Sequence, residues 1–426
     1  MIDKIKSYIN RSDFLKNSLI LISGTTLAQL LPLIAYPALT RIYTPAQFGL
    51  FSLFSSLVFL LGANSGLKYD SAIVLPRKDS DADNILALAT VAALTINMLL
   101  FVTVPLWDDL VVKAYKNELI RPWLYLLPAA NLLLFSVTSL WFYYTRKKKY
   151  KLISASKIVR SLSLVTVQII LGLLSIDHGL IWGFFLSYTI GAAYLLSKTN
   201  IPEIKRNLRK AKIKALAKRY IQFPKFYLPS SLMNRLSTDL SNYAIPFIYD
   251  MATLGLYSLA YRLLAVPISF IGVSLSQVFY QESSDHMKTK GNILGVYKSV
   301  LKKLFIIFLP IYLIMFFLIK PVFVFIFGEK WVLSGLYLKI LTPMLFANSL
   351  YNPLSTSFLV LEKQNIYFYS QVVKLIFAAA VYTMAYLKGM PFKETLIIYS
   401  GVMTVFYFAL LAVNYYVVYR SAKAAN

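Results

Sequence analysis

The sequence predicts an all-α polytopic membrane protein, with twelve transmembrane helices in two six-helix lobes related by a pseudo-twofold along the membrane normal. Three observations carry this. First, 58% of the 426 residues are apolar and only 15% are charged, with mean hydropathy +0.62. A soluble chain carries roughly 25% charged residues, whereas twelve crossings at about 20 residues each need roughly 240 residues, which this composition supplies. Second, the apolar residues fall into twelve runs separated by short connections whose Lys and Arg alternate in abundance. Third, a twelve-residue segment of the first half returns in the second.

The runs lie at about 17–39, 47–67, 84–106, 120–144, 153–173, 179–197, 226–248, 254–279, 301–319, 332–359, 366–387 and 395–418. The first follows Lys4, Lys6, Arg11 and Lys16 and is too long for the apolar part of a cleavable signal peptide. The fourth holds Pro122 and Pro128 and the tenth Pro343 and Pro353, so kinks are expected there. Alternate connections carry 31 Lys and Arg on one side and 8 on the other. Positive charge is retained in cytoplasmic loops, so both termini are expected in the cytoplasm, in agreement with an even number of crossings. The net charge of +26 has the same origin, and nucleic acid is not expected as a partner.

The one long inward connection spans 198–225. Its cations Lys205, Arg206, Arg209, Lys210, Lys212, Lys214, Lys218 and Arg219 alternate with Ile204, Leu208, Ile213, Leu216 and Ala217. That pattern predicts a basic amphipathic helix on the cytoplasmic surface, with anionic membrane lipids as its partner. The expected division is therefore an N-terminal lobe at 1–200 with helices 1–6, an amphipathic linker at 201–222, and a C-terminal lobe at 223–426 with helices 7–12.

The repeated segment is IYTPAQFGLFSL at 42–53 and IYDMATLGLYSL at 248–259, and Asn84-Ile-Leu is echoed by Asn292-Ile-Leu. Six helices per repeat is an even number, so both halves enter the membrane from the same side, which sets the pseudo-twofold along the membrane normal. In each copy a helix ends at the Ile-Tyr pair, a tight outward turn follows, and Gly49 or Gly255 permits close helix packing. The offset also aligns Gln29 with Arg235, a neutral group in one half against a cation in the other.

Ionisable groups within apolar spans are costly unless they pair, reach an interface or face a wet cavity, so each is a candidate site residue. Arg235, Arg262, Lys339, Lys374 and Arg160 are the candidate cavity cations. Asp239, four residues after Arg235, either pairs with it or serves in coupling; Asp70 and Lys68, at the inner end of the second helix, either form an ion pair or act in coupling or gating. Gln29 and Asn64 are polar candidates for the cavity, while interhelical hydrogen bonds are the default for these and for Asn97, Asn131, Gln168 and Asn348. His178 and His286 are expected to be solvated. With no Cys and two His, thiolate chemistry is excluded and a His-based metal centre is not expected. No GxxxxGK[ST], HExxH or GxSxG motif is present, and the outward connections are too short for an extracytoplasmic catalytic domain.

The segment LTRIYTPAQFG at 39–49, with LKYDSAIVL at 67–75 and the Pro76-Arg-Lys that follows, resembles the bacterial O-antigen and polysaccharide flippases of the multidrug/oligosaccharidyl-lipid/polysaccharide exporter superfamily. That resemblance implies a flippase, not an enzyme, in the bacterial inner membrane, moving undecaprenyl-diphosphate-linked oligosaccharide units from the cytoplasmic to the periplasmic leaflet by alternating access. It implies no cofactor and leaves H⁺ or Na⁺ coupling open. The implied partners are the polyprenyl-diphosphate-linked glycan and, in the assembly machinery, the polysaccharide polymerase and chain-length regulator. Arg41, Tyr43, Pro45, Phe48 and Gly49 carry the motif and read as outer turn and packing rather than as site. A drug or cation antiporter of the same fold and a peptidoglycan-precursor flippase are the alternatives; the first calls for acids in the cavity, the second commonly has fourteen helices.

Overall fold

The computed structural model describes residues 13–425, in which helices account for nearly all of the chain and no strand occurs. Lys4, Lys6 and Arg11 of the basic N-terminus lie outside the described residues. Twelve helices of eighteen or more residues fall on the twelve apolar runs: α1 (Asp13–Ile42), α2 (Pro45–Gly62), α3 (Asp79–Tyr115), α4 (Arg121–Arg146), α5 (Tyr150–Leu173), α6 (Gly179–Ser197), α7 (Leu228–Ile248), α8 (Met251–Lys290), α9 (Leu294–Phe327), α10 (Val332–Leu354), α11 (Gln364–Lys388) and α12 (Phe392–Ala425). Among the described residues eight of them, α2–α6, α9, α11 and α12, have the length and apolarity of a membrane crossing. Their outward faces suit hydrocarbon: Met98 and Leu106 on α3, Phe317 on α9 and Val405 on α12 are more than 70% exposed, a pattern that water would not tolerate.

The chain divides into two compact units. One holds the residues up to Tyr43 and Leu50–Arg235; the other holds Thr44–Gly49 and the residues from Leu236 onward. In the first, α1 packs on α5, α5 on α6, and α3 and α6 on α4. Small residues set the spacing where helices cross, since lipid gives no hydrophobic reason for helices to associate. A Cβ on Gly24 of α1 would strike Ser154 of α5, and one on Gly183 of α6 would strike Gln168. Gln168 also donates from Nε2 to the Leu180 carbonyl at 2.9 Å, so it does bridge helices. Asn64 and Asn97 instead turn back on their own helices, to the carbonyls of Leu60 and Ala93, because an i−4 carbonyl is nearer than any partner across the interface.

In the second unit α10 is central, packing on α8, α9 and α12. Trp331, fully buried at its entry, meets the Phe48 ring edge-on at 4.8 Å. The two copies of the repeat meet here. A Cβ at Gly49 would collide with the Met251 carbonyl, and one at Gly255 with the Pro45 carbonyl. The contact is reciprocal, residue for residue, as a self-complementary two-fold contact requires.

The linker departs from expectation. It is two short helices, Ile201–Asn207 and Lys210–Arg219, broken at Leu208–Arg209. The Asn84 side chain causes the break by pairing with backbone on both sides of it, donating to the Asn207 carbonyl at 3.0 Å and accepting from the Arg209 N–H at 2.9 Å. Asn207 donates to Asp83 at 2.8 Å, Lys212 pairs with Asp81 at 3.1 Å, and Leu216 is buried. The second linker helix thus packs on α3 and buries Leu216. After it, a π-helical turn at Phe223–Tyr227 leads into α7.

Candidate functional site

In the first unit three cations lie over aromatic rings, two of them over a connected ladder of rings. Lys157 and Arg160 stand three residues apart on α5, hence on one helical face. The Lys157 ammonium donates to Thr25 Oγ1 of α1 at 2.8 Å and lies 5.1 Å over the Trp141 ring of α4. The Arg160 guanidinium lies 4.7 Å over Tyr188 of α6, its stem running beside Gly191. Arg235, at the start of α7, lies 5.0 Å over Phe59 of α2. Phe59, Phe184 and Tyr188 join these positions through ring contacts of 5.9 and 4.9 Å, and both guanidinium groups act electrostatically on Tyr188. Cation–π contacts of this kind contribute roughly 0.5–2 kcal/mol each.

Charge balance decides what this cluster can hold. Among the described residues no carboxylate pairs with Lys157 or Arg160. The acids of this unit that form ion pairs do so elsewhere: Asp79 with Arg146, Asp81 with Lys212, and Asp108, Asp109 and Glu118 with Arg121. The Arg160 Nε is buried without a hydrogen-bond partner. A site so composed suits an anion with several acceptor oxygens, for which Arg offers a planar fork of donors. A cavity between α3 and α4, about 500 Å³ and lined by Leu94, Met98, Phe101, Pro128 and Leu132 among others, carries no charge and is not that site.

Of the candidates drawn from the sequence, Arg160 and Arg235 are thus brought together around Tyr188. Gln29 is exposed on α1. Arg262, Lys339 and Lys374 belong to the second unit. There Arg262 is half-buried on α8. Lys339 is exposed with its ammonium 4.6 Å over Phe316. Lys374 has Tyr399, Tyr367 and Asp239 as its electrostatic neighbours. Asp239, four residues after Arg235 on α7, is buried. Beside it, Ser241 accepts a hydrogen bond from Tyr382 at 2.8 Å. No group of three or more His, Asp or Glu that could hold a metal occurs among the described residues.

Three expectations are corrected. Lys68 and Asp70 form no ion pair; the Lys68 ammonium donates instead to the Ala63 carbonyl at 2.9 Å, because a left-handed backbone at Leu67 and Lys68 turns it back toward the end of α2. His178 is not solvated: it is half-buried at the start of α6, 5.1 Å from Trp123, and burial pushes its imidazole below the ordinary value despite Asp177 beside it. Asn131, expected to bridge helices, is fully buried with neither side-chain atom hydrogen-bonded. Lys157 is not among the sequence candidates; its three-residue spacing from Arg160 is the signal that it shares that helical face.

Comparison with known proteins places this geometry. The fold matches the lipid II flippase MurJ in an inward closed conformation, with TM-score 0.73 and 13% identity over 94% of this chain and 87% of that one. It also matches an inward-facing multidrug resistance MATE transporter of the MOP superfamily, with TM-score 0.70 and 14% identity over 96% and 98% of the two chains. A third match is a MOP superfamily transporter from Pyrococcus furiosus described as having a binding pocket of reverse polarity, with TM-score 0.61 and 14% identity over 96% of each chain. No curated protein sequence matches the chain. Residues 38–334 match the family model described as polysaccharide biosynthesis protein, well over half of the chain. The chain is a multi-pass membrane protein with the MurJ/MATE fold and belongs to the polysaccharide biosynthesis protein family.

Proposed function

We propose that this protein is a flippase that moves a polyprenyl-diphosphate-linked oligosaccharide, of the O-antigen or a related polysaccharide, from the cytoplasmic to the periplasmic leaflet of a bacterial inner membrane. The observation that carries the reading is the acid-free cluster of Lys157 and Arg160 on the aromatic ladder that Arg235 also joins. A diphosphate entering the membrane loses hydration worth many kcal/mol, and fixed cations replace part of it. Aromatic faces beside them offer stacking surfaces for sugar rings. Family membership supports the glycan class, and the fold supports twelve crossings in two lobes, at 1–200 and 223–426, that rock to alternate access. Outward movement of the doubly charged headgroup is helped by an inside-negative potential, by about 2.3 kcal/mol per charge per 100 mV. An antiporter for cationic drugs would place acids where Lys157 and Arg160 stand.

The test is leaflet transfer of a labelled polyprenyl-diphosphate glycan in proteoliposomes under an imposed potential. Wild-type protein accelerates transfer, Arg160→Gln lowers the rate at least tenfold, and Arg160→Lys recovers part of it because charge remains while the fork is lost. Transfer that is the same in the absence of protein, or with Arg160→Gln, would sink the reading.

A further inference from the structure

The connection between α2 and α3 contains a buried acid that the transport reading does not use. Asp70 is 3% exposed in a two-turn 3-10 helix, Tyr69–Val74, and its Oδ1 has no hydrogen-bond partner. The backbone N–H groups of Asp70 and Ser71 turn toward its carboxyl group. Entry to the turn is strained: Leu67 and Lys68 follow one another with φ of 52° and 62°, left-handed conformations costing roughly 1–2 kcal/mol per residue with a side chain. Tyr69, 5% exposed, donates from its hydroxyl to the Ala217 carbonyl at 3.1 Å. That bond ties the turn to the linker just ahead of the π-helical turn that leads into α7. Lys68 lies 5.8 Å over Tyr227 of that same π turn.

We propose that the Leu67–Val74 turn is a proton-operated latch on the chain that enters α7. With Asp70 neutral, the turn stays packed and Tyr69 holds the linker at Ala217. With Asp70 ionised, a carboxylate oxygen without a partner is held in a dry site, and the strained turn opens toward water, breaking the Tyr69 tie. The latch is independent of the cargo, and by the charge bias of the connections it lies on the cytoplasmic side.

The surroundings leave Asp70 little compensation. Arg146, at the end of α4, is occupied by Asp79 and by the carbonyls of Val74, Pro76 and Arg77. On α3, Asp81 and Asp83 are engaged by Lys212 and Asn207. In the π turn, Lys225 lies against Phe226, and Tyr227 faces Lys68. Among the described residues Lys68 is the charge that bears on Asp70, and it has no ion pair with it. Burial raises the Asp70 carboxyl above the usual carboxylate range, against the smaller opposing effects of Lys68 and the two N–H groups; burial likewise lowers Lys68.

The chain has no native cysteine, so single cysteines report directly. Maleimide labelling of Ala217→Cys in membranes, divided by that of the exposed Ala215→Cys to remove the pH dependence of the thiol itself, is followed from pH 5 to 8.5. The ratio is expected to rise at least fivefold with pH in the otherwise wild-type chain, to stay low and flat with Asp70→Asn, and to stay high and flat with Tyr69→Phe. Should Asp70→Asn not accumulate, Lys68→Met decides: loss of the ammonium moves the rise to higher pH. A ratio that does not change with pH, or a rise that persists in Asp70→Asn or is unmoved in Lys68→Met, overturns the latch.

Discussion

Tyr43 and Tyr249 occupy the same place in the two repeats and do the same work with different partners. Each ends the first helix of its repeat and sends its hydroxyl to the fifth and sixth. Tyr43 donates to the Gln168 carbonyl at 2.7 Å and abuts Gly172 and Gly179; Tyr249 donates to the Met390 carbonyl at 3.0 Å and lies 2.7 Å from Thr395 Oγ1. The charged positions show no such agreement. Gln29 is aligned with Arg235, and Lys157 and Arg160 are stacked on rings in the first unit, whereas Lys374 in the second has Asp239 as a neighbour. Scaffold contacts are thus retained in both copies while charge is not, as expected if the repeats share a shape and divide the task of binding.

Breaking the shared scaffold has the largest effect. Gly49→Ala and Gly255→Ala each push a methyl into the opposite copy's carbonyl, and each is expected to cost about 1–3 kcal/mol, read as a lowered Tm in detergent. Because the contact is reciprocal, the two substitutions share one backbone shift, and the double variant falls short of the sum of the singles. Full additivity would show that the contacts are independent.

Asn84→Ala comes next. It removes both hydrogen bonds at the linker break and strands two backbone groups, for about 1–3 kcal/mol, and speeds hydrogen exchange at Arg209. The tyrosines follow, at about 0.5–1.5 kcal/mol for each loss of hydroxyl to Phe, Tyr249→Phe costing the more because it gives up two partners.

The smallest effect is one of pH. Burial lowers the His178 imidazole in the fold, so the unfolded chain takes up the proton first. Stability contributed by the buried neutral ring is present above the ordinary histidine value and is lost as pH falls below it. His178→Asn therefore flattens the Tm profile between about pH 7 and 5. Asp70 runs the other way: its raised carboxyl binds the proton more tightly in the fold, so stability falls as pH rises above the usual carboxylate range, and Asp70→Asn removes that fall.

Hydropathy located the twelve long helices but not their ends. α8 continues to Lys290 through Gln281, Glu282, Asp285 and His286, residues that end an apolar run without ending a helix. The repeat likewise pointed to the Gly49 and Gly255 contact, because only a residue lacking Cβ survives such an approach. What the sequence hid were contacts between distant segments. The linker pattern fits an amphipathic helix on lipid until Asn84, more than a hundred residues earlier, is seen to take its backbone. In the site, Arg160 and Arg235 were visible as charges in apolar runs, but Tyr188 and Phe59, the rings under them, look like any other membrane aromatics.

The central claim is that the cations of the first unit hold an anionic lipid headgroup. Its most direct test is native mass spectrometry of the detergent-solubilised protein with polyprenyl diphosphate, polyprenyl alcohol of the same length, and a hydrophobic organic cation. The account predicts that the diphosphate binds in preference to the alcohol by at least tenfold, about 1.4 kcal/mol, that the Lys157→Gln, Arg160→Gln double variant loses this preference, and that the cation does not compete. Equal binding of diphosphate and alcohol, or displacement of the diphosphate by the cation, would contradict it.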